Sequence, residues 1–271
     1  MYQIVRNSFN DSPDGTALVF FFNKCNMRCK YCYNHELFLP NKNTTNILST
    51  FNDCQNELSH QLLENNDGKT FLRNDWLILS GGEPLMMDYD EFVYFATYAH
   101  SIGMKVGMWT NLTYDEEQVY KEGELINVLF NHHTILNYLD WINIDFKGFE
   151  KTYQQYGINN KQFCLLLSRL KYLFDKNIDI QLSTVLTNSL MTEEEFVQMT
   201  SFIDKALFVC SRTKPITWRF VKLLFPSGHE QLLDASMTIN EIFPEPRLRD
   251  WIKKYNVDKI NNINVKIIYD V

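Results

Sequence analysis

Short apolar runs recur along the chain, and most are followed by a helical pattern. The runs are ALVFFF (17–22), WLILS (76–80), KVGMWT (105–110), WINIDFK (141–147), IQLSTVL (180–186) and ITWRFVKLL (216–224). Most are continuously apolar rather than alternating, as in strands buried on both faces. Between them, Ile47, Phe51, Cys54, Leu58 and Leu62 share one helical face. Asp88 with Glu91 makes an N-terminal capping signature, and Gly103 stands where that helix would stop. Thr192 with Glu195 repeats the signature before EEFVQMTSFI, and RLRDWIKKY follows Pro246 as a further helix. Strands alternating with helices imply a parallel sheet. Six such units are too few for a closed eight-fold barrel. The expected fold is therefore α/β, a partial open (β/α)6 barrel with parallel strands; residue counts do not separate it from a flat doubly wound sheet. No linker is long enough to divide the chain. A single domain over residues 1–271 is expected, its core at about 17–230, with a C-terminal helix and an edge strand (NVKIIYDV) in 231–271.

Composition narrows the partners. A length of 271 residues suits one α/β barrel, and 45% hydrophobic with 14% aromatic residues suffices for a sizeable core. A net charge of −7 argues against nucleic acid or an anionic membrane as the main partner. MYQIVRNSFNDSP lacks a basic start followed by a long apolar run, and Ala17 to Phe22 is too short to cross a bilayer. The expected location is cytoplasmic. Thiols stay reduced there, so clustered cysteines read as metal ligands or catalytic thiols before disulfides.

Such a cluster exists. CNMRCKYCYN places Cys25, Cys29 and Cys32 in a CxxxCxxC spacing. Cys54 sits on an apolar helix face, Cys164 in FCLLL and Cys210 in LFVCS, none at chelating distance in sequence from another, so each reads as an ordinary buried cysteine. Iron–sulfur clusters and structural zinc both usually take four ligands. Three local thiolates leave one iron of a cubane without a protein ligand, and an open position is what a catalytic metal needs. Directly after the second run come Gly81, Gly82, Glu83 and Pro84; two glycines permit close backbone approach, and Glu83 can accept from an ammonium group. In a strand, Asn143, Asp145 and Lys147 share a face, as an ion pair or as ligand contacts. The cysteine loop, GGEP, Trp109-Thr110-Asn111 and Asp145/Lys147 all follow the carboxyl ends of strands, the active rim of α/β barrels.

These motifs resemble the radical S-adenosylmethionine superfamily. CxxxCxxC with the aromatic Tyr31 before its last cysteine follows the first strand, as that superfamily carries it, and GGEP looks like its second motif, which binds the amino group of S-adenosylmethionine. The resemblance covers roughly Ala17 to His229. ALVFFFNKCNMRCKYCYNHEL and the Asp145-x-Lys147 pair are most similar to the activating proteins of glycyl radical enzymes, the activases of anaerobic ribonucleotide reductase and pyruvate formate-lyase. Where those end the third strand in Asp-Thr-Asn-Gly, this chain has Trp109, Thr110, Asn111 and Leu112; the acid helps bind a monovalent cation in some activases. STVLTNSL has Asn188-Ser189 at a frequent Pro-Gly turn.

The resemblance implies one [4Fe-4S] cluster on Cys25, Cys29 and Cys32, since there is no cysteine-rich insert or extension. It implies S-adenosylmethionine held by Tyr31, Gly81, Gly82, Glu83, Thr110, Asn111, Asp145, Lys147, Ser183 and His229. Lys147 would pair with the carboxylate and Glu83 with the amine. Reductive cleavage would give a 5′-deoxyadenosyl radical that takes hydrogen from a substrate, here a glycine of a partner enzyme. The implied partners are a protein or peptide substrate and a reductant such as flavodoxin or ferredoxin. Radical modification of a ribosomal peptide, small molecule or nucleotide is the second reading. An iron–sulfur electron-transfer or zinc-binding module is the third, and it leaves GGEP and Asp145/Lys147 without a task.

Overall fold

The six apolar runs form strands at the expected places, and two more flank them. These are β1 (Tyr2–Ser8), β2 (Ala17–Phe22), β3 (Trp76–Gly81), β4 (Lys105–Thr110), β5 (Trp141–Asp145), β6 (Asp179–Leu186), β7 (Ile216–Lys222) and β8 (Ile263–Ile268). The computed structural model describes residues 2–32, 34, 49–114, 120–121, 124–125, 134–223 and 241–268. The chain divides into two compact units. One draws on Met1–Asn26, Asn34–Thr110 and Tyr114–Ile142, the other on Met27–Tyr33, Asn111–Thr113 and Asn143–Val271. Strand β5 contributes its start to the first and its end to the second.

In the first unit β1, β2, β3 and β4 lie side by side in that order. Strands β2 and β3 run parallel, Ala17 beside Trp76 through Phe22 beside Gly81. Both are buried along nearly their whole length, as continuous apolar runs require. Strand β4 continues the parallel set. The all-parallel expectation fails at the edge, where β1 pairs antiparallel with β2, Tyr2 beside Phe22. No continuous apolar run announces β1; it covers the open edge of β2, whose backbone groups would otherwise lack partners.

Helix α1 (Phe51–Ser59) starts at a Thr50/Asp53 capping box and buries Cys54 and Leu58. It is shorter than the expected face. Leu62 lies instead in a hairpin of Leu62–Glu64 with Thr70–Leu72, 43% exposed, and Ile47 falls outside the described residues. Asp88 caps α2 (Tyr89–Ser101) by accepting from the Asp90 N–H, and Gly103 follows at φ +92°. Glu91 does not close the capping box; its carboxylate accepts from the Tyr2 hydroxyl, which ties β1 to α2.

In the second unit the end of β5 is followed by β6, β7 and β8. The last three are parallel, Arg219 lying beside Ser183 on one side and Lys266 on the other. The expected C-terminal edge strand is thus β8, and the helix after Pro244 is α6 (Glu245–Lys254). Strand β7 alternates. Ile216, Trp218 and Phe220 are buried, while Thr217, Arg219 and Val221 face a partly open polar side. Lys222 pairs in register with Leu186, so Arg219 and Lys222 occupy opposite faces, as their spacing requires.

Helices α3 (Glu150–Gln155), α4 (Asn160–Phe174) and α5 (Glu193–Val209) complete this unit. Thr192 caps α5 by accepting from the Glu195 N–H at 3.2 Å. The Glu195 carboxylate, 1% exposed, turns elsewhere and caps α3. It accepts from the Phe149 N–H, the Lys151 N–H at 3.3 Å and the Thr152 hydroxyl at 2.8 Å. This staple holds the helix that carries Tyr153 and Tyr156. Charged hydrogen bonds of this kind contribute about 1.5–3 kcal/mol. Glu195→Ala should therefore lower stability by about 2 kcal/mol, read by urea denaturation, and a loss under about 0.5 kcal/mol would show that α3 does not depend on it.

No described helix is long and apolar enough to cross a membrane.

Candidate active site

The first unit supplies Cys25, half-buried, and the strand-end segment Gly81-Gly82-Glu83. The glycines answer first to the chain itself. Gly81 has φ +99°, and a Cβ there would lie 2.5 Å from the Phe22 nitrogen. A Cβ on Gly82 would lie 2.0 Å from the Lys24 carbonyl oxygen. The close approach is cemented by Gly82 N–H to Phe22 O at 2.8 Å and Glu83 N–H to Lys24 O at 2.6 Å. The GGE segment thus fixes the exit of β2, from which the cysteine loop departs. Gly82→Ala forces backbone against backbone; the expected cost is about 3 kcal/mol, seen as a lower denaturation midpoint, and a wild-type midpoint would refute the requirement.

Glu83 is fully buried. Its carboxylate accepts from the Thr110 hydroxyl at 2.7 Å and the Leu85 N–H at 2.9 Å, so two expected site residues, Glu83 and Thr110, are brought together. Trp109, in the place of the family's acid, donates its indole N–H to the Asp11 carbonyl at 2.7 Å and packs on Trp141. It contributes structure at that position and no carboxylate.

The second unit holds Cys29 and Cys32, joined by a Cys32 N–H to Cys29 O bond of 3.0 Å. The preceding Arg28 N–H donates to the Tyr156 carbonyl at the end of α3 at 3.1 Å. Tyr31 is buried with its ring edge-on to Tyr156, centroids 5.8 Å apart. Lys147 Nζ stands 5.7 Å from the Tyr31 ring centre and 2.9 Å from Asp145 Oδ2. Strand β5 ends at Asp145, and a tight turn, Phe146 N–H to Ile144 O at 2.9 Å, swings Lys147 back onto it. Tyr153 straps this turn, accepting from the Lys147 N–H at 3.1 Å and donating to the Asp145 carbonyl at 3.0 Å. Burial opposes the Lys147 charge, but Asp145 and the Cys29 sulfur outweigh it and hold the ammonium well above the ordinary lysine range.

Cys29 is itself buried. Burial pushes its thiol up to about 12 against the pull of Lys147. A thiol in that state gives up its proton to a metal rather than to water, the exchange that couples metal binding to proton release. Among the described residues no three Cys, His, Asp or Glu side chains converge on one ion position.

Asn111 and Ser183 are both bonded within the chain. Asn111 Oδ1 accepts from the Thr113 N–H at 2.8 Å and hydroxyl at 2.6 Å. Next to it Leu112 has φ +56°, at the position of the family's glycine, and its carbonyl accepts from Arg169 at 2.9 Å. Ser183 donates to Asn143 Oδ1 at 2.7 Å, which also receives Gln181 Nε2 at 2.8 Å. Asn143 serves this network on the polar face of β6. His229 lies outside the described residues. The sequence reading missed Tyr153 and Tyr156 as supports of the loop and of the Asp145–Lys147 turn. They stood in FEKTYQQYG, but spacing alone carried no sign of what the phenols would meet.

Comparison with known proteins bears on family and fold. A family of 4Fe-4S single cluster domains matches residues 13–155, which include all three cysteines of the loop. No curated protein matches the chain. Two solved structures share its fold. A radical SAM methyltransferase from Sphaerobacter thermophilus aligns with TM-score 0.52 and 10% identity over 96% of this chain and 68% of its own. A structure of TYW1 with a lysine-pyruvate adduct bound aligns with TM-score 0.50 and 11% identity over 89% of this chain and 72% of its own. The likeness to these two structures is one of fold; by the match over residues 13–155, with the CxxxCxxC loop inside it, the chain belongs to the family of 4Fe-4S single cluster domains.

Proposed function

We propose that the protein is a glycyl-radical-enzyme activating protein, which takes a hydrogen atom from a glycine of a partner enzyme. The observation that carries this is the Asp145–Lys147 pair at 2.9 Å beside the cysteine loop, the arrangement in which the chain most resembles the activases. Bound together, cluster and S-adenosylmethionine supply a 5′-deoxyadenosyl radical on one-electron reduction.

The chain's own residues hold and orient. Cys25, Cys29 and Cys32 would hold the cluster, leaving one iron open for S-adenosylmethionine. Lys147, kept protonated by Asp145, takes the carboxylate as a charge-assisted partner. Gly81, Gly82 and Glu83 receive the amine, with Glu83 already set in orientation by Thr110 and Leu85; such preorganisation lowers the cost of ordering the ligand. Tyr31 would contact the adenosyl group and Asp145 the ribose, as the resemblance implies. Asn111, Ser183 and His229 are the remaining contacts that the resemblance implies. Flavodoxin or ferredoxin is the proposed reductant.

The test is anaerobic incubation of the reduced protein with S-adenosylmethionine and a glycyl-radical-type reductase or lyase. A carbon-centred electron paramagnetic resonance signal on the partner is expected, narrowing when the partner is made with α-deuterated glycine. Formation of 5′-deoxyadenosine with no radical on any such partner would point to a peptide or small-molecule substrate instead.

A further inference from the structure

Two local rules are broken in this chain, and the two breaches meet. Among the described residues, the non-glycine positions with positive φ are Asn7, Leu112, Asn256 and Asn262. Asparagine tolerates that conformation through its short polar side chain; leucine does not, because its Cβ crowds the following carbonyl. Leu112 nevertheless holds φ +56°, with its side chain fully buried. The second breach is on α4. Its buried face is made of Phe163, Leu166, Leu170, Leu173 and Phe174, and Arg169 stands among them, 4% exposed. A cation on the core face of a helix is costly unless its donors are engaged.

The two positions are joined directly. Arg169 Nη1 donates to the Leu112 carbonyl at 2.9 Å. On either side of Leu112 the turn is closed by Asn111 Oδ1, which accepts from the Thr113 N–H at 2.8 Å and the Thr113 hydroxyl at 2.6 Å. Asn111, Leu112 and Thr113 are all buried, and with Arg169 they belong to the same compact unit. A strained backbone persists only where its surroundings over-determine it, and such places cluster at ligand clamps. A leucine at 169 would fill the helix face without a buried charge. The guanidinium adds a fixed direction for the Leu112 carbonyl, and with it one conformation for the turn.

We propose that Arg169 is a positioning residue for S-adenosylmethionine. By holding the Leu112 carbonyl it locks the Asn111–Thr113 turn in its strained form, and so presents Asn111 to the ligand. Arg169 itself does not touch the ligand. The inference rests on the reading of Asn111 as a ligand contact.

The experiment is equilibrium dialysis of S-adenosylmethionine against full-length, cluster-loaded protein kept unreduced, so that binding is read without turnover. Thermal midpoints are recorded beside it. Arg169→Met keeps the bulk and removes the donors; it should load its cluster and bind S-adenosylmethionine roughly 10-fold more weakly. Adding Leu112→Gly tests the cause. Glycine takes a positive φ without strain, so the double variant should regain affinity. It also loses a buried side chain, so its thermal midpoint should fall further. A merely structural arginine would make the two readouts fall together. Unchanged affinity in loaded Arg169→Met, or affinity that drops again in the double variant, overturns the proposal. Should Arg169→Met fail to fold, Arg169→Lys, which keeps the charge but offers one ammonium in place of the planar fork, carries the same comparison. Asn111→Ala separates the two layers. Weakened binding there with unchanged binding in Arg169→Met overturns the clamp alone; wild-type binding in Asn111→Ala overturns the contact and the clamp with it.

Discussion

Cys29→Ala should leave a folded protein that holds no [4Fe-4S] cluster. After anaerobic reconstitution its iron, sulfide and visible charge-transfer absorbance fall to background, and with them all reductive cleavage of S-adenosylmethionine. The reason is arithmetic. Three thiolates already leave one iron of a cubane uncapped, and removing one leaves two corners bare. Weaker perturbations behind a metal ligand cost roughly 10–100-fold in affinity, so removal of a ligand goes further. Cys54→Ala is the matched control. Cys54 is buried, as Cys29 is, but packs on the core side of α1, so its loss costs stability alone and leaves loading intact. A Cys29→Ala protein with wild-type spectrum and turnover would end the cluster assignment, as would wild-type protein that reconstitutes with zinc instead.

The second large effect is at Asp145. Asp145→Asn keeps the shape of the side chain and removes the charge that faces Lys147. The Lys147 side chain is only 10% exposed, so its ammonium is left buried with its nearest counter-charge gone. Breaking one side of a buried ion pair costs about 3–5 kcal/mol. With Asp145 itself 31% exposed, the expected loss is nearer about 3 kcal/mol. The pH dependence has a definite sign. Folding raises the Lys147 pKa, so the wild-type stabilisation is complete at neutral pH. It is lost as pH climbs past the unfolded lysine value of about 10.4 toward the folded one. The wild-type advantage over Asp145→Asn should therefore be constant from pH 6 to 9, roughly, and shrink above about pH 10. Urea denaturation of the two proteins at pH 7 and at about pH 10.5 checks this. A difference that is negligible at pH 7, or that grows with alkalinity, is incompatible with the pair as described.

Much of the architecture was readable from local pattern. All six apolar runs became strands within a few residues of their expected ends. A strand buried on both faces is apolar along nearly all of its length. The edge strand β1 left no such trace, because an edge needs only a backbone to pair and its side chains are half-exposed. Capping signatures located helix starts correctly but misassigned their acids. Glu91 and Glu195 sit at the right spacing for a box, yet one accepts from Tyr2 and the other caps α3. A carboxylate goes to the strongest buried donors within reach, and those come from elements distant in sequence.

The same division runs through the site. Spacing alone put three thiols on one loop, two glycines where a strand ends and an acid two residues from a lysine, because each of these demands is made by neighbours along the chain. Tertiary structure alone decided that Gly82 must be bare to let the Lys24 carbonyl pass, that Asp145 meets Lys147 through a turn rather than along a strand, and that Tyr153 and Tyr156 brace the loop from α3. Those contacts join residues whose proximity is a consequence of folding. Burial then changes what the same groups do, turning a lysine, a thiol and two phenols from solvated surface chemistry into a dry, oriented set.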